Sequence, residues 1–182
     1  TTEDKKAGDA TPIVFAGQNF YIGSVASTVP IPTPTPTPTP IISNICFPAG
    51  TPIQTDQGVL PIEQIDARIN TIGQKAIHHI TQTVTLDPYL ICFEKNSLAR
   101  NMPSKRTLMT KDHQLLFNGQ LLPAERFLNF SREVKKVKYS GEILYNVLLA
   151  QYGTMTVNGL QCETLHPENL IAKLYRKNLS YE

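Results

Sequence analysis

From residue 46 onward, apolar positions come in runs of four to eight, several alternating with polar ones and each ending at a turn signal, as in a domain of short strands. "TPIQTDQG" and "VLPIEQI" flank a turn at Asp56-Gln57-Gly58, and "AIHHITQTVTL" and "PYLICFE" read as strands. Asn118-Gly119 separates the apolar halves of "QLLFNGQLLPAERF", the strongest short hairpin signal. "EVKKVKYSGEILYNVLL" offers two strands around Ser140-Gly141, and "GTMTVNGLQCETL" another pair around Asn158-Gly159. Helical spacing is scarce. "PAERFLN" has room for one turn or two. "PENLIAKLYRKN" puts Pro167 at a first helical position, with apolar residues at Leu170, Ile171, Leu174 and Tyr175. The expected class is mainly β, with a short C-terminal helix or tail.

Upstream the pattern changes. Residues 1–10, "TTEDKKAGDA", are small and charged, the composition of a flexible extension. "PIVFAGQNFYIGSV" is apolar enough for a hairpin but too short to fold alone. "PIPTPTPTPTP", residues 30–40, is a polyproline II rod, because each proline fixes its own φ and biases its predecessor toward extended geometry. At about 3.1 Å per residue it spans roughly 34 Å. The expected organisation is an N-terminal extension or end of an upstream segment (1–29), a Pro-Thr linker (30–41), a β-domain (42–166) and a C-terminal helix or tail (167–182).

A formal charge of +2 over 182 residues is too near neutral to argue for nucleic acid or an anionic membrane. No apolar run approaches the roughly 20 residues of a membrane span, and no signal peptide is visible. The cysteines, Cys46, Cys92 and Cys162, are odd in number and form no C-x-x-C pair, so they read as free thiols of a reducing compartment or a virion. Cys92, in "YLICFE", reads as a small hydrophobe. His78 and His79 are adjacent and point to opposite faces of a strand, which disfavours a shared metal. Lys135, Lys136 and Lys138 read as the solvated side of a strand, and His166 carries no assigned chemistry. No cofactor or metal is implied.

Three stretches remain: "CFPAGT" from Cys46, "TLMTKDH" holding Thr110 and His113, and "YNVLLAQYGTMTVNG". In this order and spacing, with Gly58 and Pro61-Ile62-Glu63 after the first, they resemble the Hint domain, the fold shared by hedgehog autoprocessing domains and inteins. The resemblance spans about residues 46–165, and its ending is closer to the hedgehog type. It implies a horseshoe of β-hairpins and a self-cleaving chemistry. The thiol of Cys46 attacks the carbonyl of Ile45, exchanging an amide for a thioester. A near-neutral imidazole, His113, protonates the leaving amine, and Thr110 with nearby N–H groups steadies the oxyanion. Water or a small thiol then opens the thioester, with the chain's own N-terminal segment as substrate.

The pattern also departs from the family. Glu163 and Thr164 stand where inteins end in His-Asn, so splicing is not expected. "AIHHIT" lacks the carboxylate of sterol-transferring relatives, and Ile45 stands where hedgehog proteins have glycine. Asn146 occupies a frequent Asp position of inteins, and it and Cys162 are accessory candidates. The competing reading is an inactive Hint fold kept as a structural or interaction module of a larger assembly such as a virion.

Overall fold

The structure, a computed structural model, describes residues 40–179. The chain divides after Thr37, and the described residues all belong to the unit Pro38–Glu182. The expected N-terminal extension and almost all of the Pro-Thr linker lie outside the described residues.

The strands among the described residues run, in chain order, β1 (Phe47–Pro48), β2 (Pro52–Thr55), β3 (Gly58–Pro61), β4 (Thr71–Ile72), β5 (Lys75–Thr83), β6 (Tyr89–Phe93), β7 (Thr107–Met109), β8 (Gln114–Phe117), β9 (Gln120–Pro123), β10 (Val134–Lys138), β11 (Leu144–Leu149), β12 (Thr154–Val157) and β13 (Leu160–Glu163). They form three antiparallel sheets, ordered β1-β11-β5-β4, β10-β6-β7 and β3-β2-β12-β13-β8-β9. Short 3₁₀ turns cover Ile62–Gln64 and Ala124–Asn129, the second being "AERFLN". One helix, α1 (Leu170–Leu179), closes the described chain. The molecule is mainly β, as the alternation of its sequence predicts.

Each hairpin forms where the turn chemistry allows it. Asn118 and Gly119 have φ of 49° and 78°, and Asn158 and Gly159 have 49° and 83°. Two successive positive values match the twist of two-residue hairpins, which favours Asn-Gly there. Gly159 is constrained twice over, since a Cβ would lie 2.6 Å from the carbonyl oxygen of Asn101. Ser140-Gly141 separates two strands, β10 and β11, that do not pair with each other. β10 pairs with β6, and β11 lies between β1 and β5.

The main core gathers Phe47, Ile53, Ile91, Phe93, Phe127, Met155 and their neighbours. Phe127 meets Phe93 and Phe117 edge-on at centroid separations of 5.7 and 5.5 Å. Cys92 is buried in β6, as its apolar surroundings predict. Lys135 pairs with Glu94 at 2.9 Å; Lys136 pairs with Glu125 at 3.6 Å and sits over the Tyr89 ring at 3.9 Å. His78 is exposed, while the His79 ring rests 4.4 Å from that of Tyr175.

The helix starts later than its spacing predicts. Leu170, not Pro167, is the first helical residue; Asn169 precedes it, and its Oδ1 accepts the amide of Ile171 at 2.9 Å as a side-chain cap. The buried face holds Ile171 and Ala172, with Leu170 and Leu174 exposed. Among the described residues, no helix is long and apolar enough to cross a membrane, and no cluster of metal-ligating side chains forms.

Candidate functional site

Cys46 immediately precedes β1, and the register of β1 on β11 explains its surroundings. Phe47 lies opposite Tyr145 and Pro48 opposite Leu144, so one step back brings residue 46 level with Asn146. On the other side of β11, Leu144 faces Thr83 of β5. Cys46 at the start of β1, Asn146 of β11 and Thr83 of β5 are therefore gathered at one sheet. Cys46, Thr110, His113 and Asn146 have 0% exposure.

Thr110 is bound to the backbone of the cysteine itself. The Cys46 N–H donates to Thr110 Oγ1 at 2.7 Å. In return the Thr110 N–H and hydroxyl donate to the Cys46 carbonyl at 2.9 and 3.3 Å. At rest, Thr110 is thus bound to the Cys46 backbone, and the carbonyl oxygen of Ile45 has a different donor. That oxygen accepts a hydrogen bond from Nδ2 of Asn146, whose Oδ1 takes the Val147 N–H at 2.7 Å. Asn146 thus bridges its own strand to the peptide link between Ile45 and Cys46.

The Cys46 Sγ lies 3.0 Å from the Thr83 hydroxyl. Burial pushes the thiol up from its ordinary range, partly offset by hydrogen bonds with Ser43, Thr83 and the backbone of Ile45. Cys46 is therefore a neutral thiol at rest.

His113 follows a turn in which its own N–H donates to the Thr110 carbonyl at 3.2 Å. Its ring tilts against Phe47 at 4.2 Å, and Nε2 lies 3.1 Å from the backbone carbonyl of Glu163. A carbonyl can only accept, so Nε2 carries the proton and Nδ1 presents a lone pair. That Nδ1 is buried without a hydrogen-bond partner. Burial drags the imidazole down to about 4, against weaker upward pulls from the backbones of Glu163 and Ile45. Burial therefore takes His113 below the near-neutral range expected of it: the ring is neutral at pH 7, with Nδ1 unpaired in a buried site.

Glu163 holds this ring by its main chain, and its carboxylate anchors the strand end. Oε1 accepts the Gln114 N–H at 3.0 Å and Oε2 accepts the Tyr152 hydroxyl at 3.0 Å. Burial raises the Glu163 carboxyl, and burial beside it pushes the Tyr152 phenol up to about 12. Cys162, an accessory candidate, is buried in the main core with its thiol pushed far up by burial. Its side chain packs within that core at 0% exposure. Sequence reasoning missed Thr83, Ser43 and the Glu163 carbonyl. Threonine and serine in strand-like runs carry no signal of their own, and a backbone carbonyl carries no side-chain signature. A cleft of about 300 Å³ opens beside the junction, between residues 42–45 and 169–171.

A family model described as the Hint domain matches residues 45–169. The solution structure of a bacterial intein-like domain from Clostridium thermocellum aligns with 68% of this chain and 100% of that one, at a TM-score of 0.53 and 17% identity. At that identity the likeness is one of fold. No curated protein matches the sequence.

Proposed function

The chain belongs to the Hint domain family, and from that premise we propose that it cuts itself once, between Ile45 and Cys46, without splicing. The observation that carries this reading is the bond from Asn146 Nδ2 to the carbonyl oxygen of Ile45. A donor aimed at that oxygen from a rigid strand is what a developing oxyanion requires.

The Cys46 sulfur adds to the carbonyl carbon of Ile45, and negative charge gathers on the oxygen held by Asn146. The C–N bond then breaks to leave a thioester and the free amine of Cys46. The shift needs no net proton, since the one lost by sulfur is the one nitrogen gains. A neutral imidazole with a vacant lone pair can take and return that proton, which assigns the relay to Nδ1 of His113. The Thr83 hydroxyl steadies the sulfur as its proton leaves. Thr110 Oγ1, accepting the Cys46 N–H, fixes the nitrogen while it changes from planar amide to amine. Water or a small thiol entering by the adjoining cleft opens the thioester, releasing residues 1–45 as an acid or a new thioester and regenerating the Cys46 thiol.

The site's dryness favours a second reading. A fully buried, raised thiol and a buried, lowered imidazole also describe a retired centre kept for its shape, a module within a larger assembly. Intact mass of the purified chain, with and without dithiothreitol, separates the two. Fragments 1–45 and 46–182, absent from Cys46→Ala, support cutting. A single mass that stays whole and matches the behaviour of Cys46→Ala overturns it in favour of the module.

A further inference from the structure

Ile45 places a branched side chain beside the attacked carbonyl, an arrangement that crowds the chemistry unless something holds it. The structure supplies a holder. Ile41 and Ile45 pack with Leu148, Leu165, Ile171, Ala172 and Tyr175 in an apolar cluster separate from the main core. The backbone leading to the junction is held as well. The Val84 N–H donates to the Ile41 carbonyl at 2.9 Å, and the Ser43 N–H to the Val84 carbonyl at 2.8 Å, as a short parallel bridge around Ile42.

Three of the packing residues come from α1, which begins at Leu170, directly after the region matched by the family model. Tyr175 fastens the helix to β5. The Tyr175 hydroxyl accepts the Gln82 N–H at 2.8 Å and donates to the Gln82 carbonyl at 3.0 Å. The helix thus stands on the sheet that carries Asn146 and Thr83, against the residue preceding the nucleophile.

We propose, resting on the self-cleavage reading, that α1 with Leu148 and Leu165 forms a seat that selects a branched apolar side chain at position 45. Filling the seat sets the Ile45 carbonyl under Asn146, and the same contacts retain residues 41–45 on the domain. Ile171 and Ala172 are positioning residues in this scheme, acting through Ile45 and never touching the reacting atoms.

The test uses the full chain with Ile45→Gly, Ile171→Ala and both together. A single lost methylene in an apolar pocket is worth about 10- to 200-fold in selectivity. Ile45→Gly and Ile171→Ala each remove more than that, so each single variant is expected to slow cutting by at least about tenfold, and the double variant to be little slower than the worse single, because both empty one seat. Amide hydrogen exchange in the uncleavable Cys46→Ala background reads the seat without chemistry. Adding Ile171→Ala should speed exchange at Ser43 and Val84 while β12 and β13 keep their protection. Multiplying rate losses, or unchanged exchange at Ser43 and Val84, overturns the seat. Should the parent chain never cut, the self-cleavage reading fails and the exchange result alone decides whether α1 holds the segment.

Discussion

Asn146 offers the sharpest quantitative test of the site. Its Nδ2 is the side-chain donor on the Ile45 carbonyl oxygen, and the residue is fully buried. Removing one such preorganised donor from a dry site typically slows acyl transfer by about 10² to 10³, equivalent to roughly 2.7–4 kcal/mol of barrier. Only the part of the bond that strengthens as charge develops counts, which favours the lower half of that range. Asn146→Ala should therefore cut about a hundredfold more slowly than the parent. It should also lose stability, because the Val147 N–H loses its acceptor at a cost of about 1–3 kcal/mol. Asn146→Asp separates the two effects. It preserves the shape and the Val147 bond but turns the donor into an acceptor, with a carboxyl that burial holds partly protonated. Its cutting should be slow at pH 8 and recover toward acid, where a protonated carboxyl donates again. The assay is a mass-resolved time course of the 46–182 fragment, with urea unfolding run in parallel. Parent-like rates for both folded variants would refute the assignment of Asn146 to the oxyanion.

Three further outcomes are expected. His113 has a folded pKa of about 4 against an ordinary 6.5, so the unfolded chain binds its proton first. Its contribution to stability is intact above pH 6.5 and is lost as pH falls toward 4, by roughly 3 kcal/mol at about 1.4 kcal/mol per unit. Glu163, whose carboxyl is raised, acts in the opposite sense in the carboxylate range, and His79, lowered by burial, acts in the same sense as His113. The measurement is the difference between urea-unfolding profiles of the parent and His113→Gln, and equal acid slopes would contradict the burial argument. Thr110→Val keeps the shape but strands the Cys46 N–H, so calorimetry should record a loss of about 1–3 kcal/mol. Phe127→Ala empties the centre of the aromatic cluster and should destabilise the domain by about 3–5 kcal/mol in denaturant titration, without altering the junction's bonds.

Local signals carried most of the fold. Asn118-Gly119 and Asn158-Gly159 announced their hairpins because few other pairs tolerate two positive φ values in succession. Pairing between distant strands was not legible. Ser140-Gly141 marks a break in the chain but says nothing of which strand each side will meet, and β10 and β11 part to different sheets. The buried face of the helix was not legible, because Leu170 and Leu174 follow the same spacing as Ile171 and Tyr175. Only the packing of Ile45 and Leu148 distinguishes the two stripes. At the site, the order of Cys46, Thr110 and His113 named the participants but not their partners. Register decided that Asn146 reaches the Ile45 oxygen, and burial decided that the His113 ring rests neutral.

The distances along the chain within this site have a temporal meaning. Thr110 is 64 positions from Cys46, and Asn146 is 101 positions from the carbonyl it holds. A ribosome adding about 5–20 residues per second needs roughly 5–20 s to make the longer stretch. Whatever precedes the junction leaves the ribosome first and has that interval to reach its own structure. The peptide link stays an ordinary amide throughout, since the groups around it do not yet exist. If the chain cuts itself as proposed, distance in sequence acts as a delay line, letting the upstream portion mature before separation becomes chemically available.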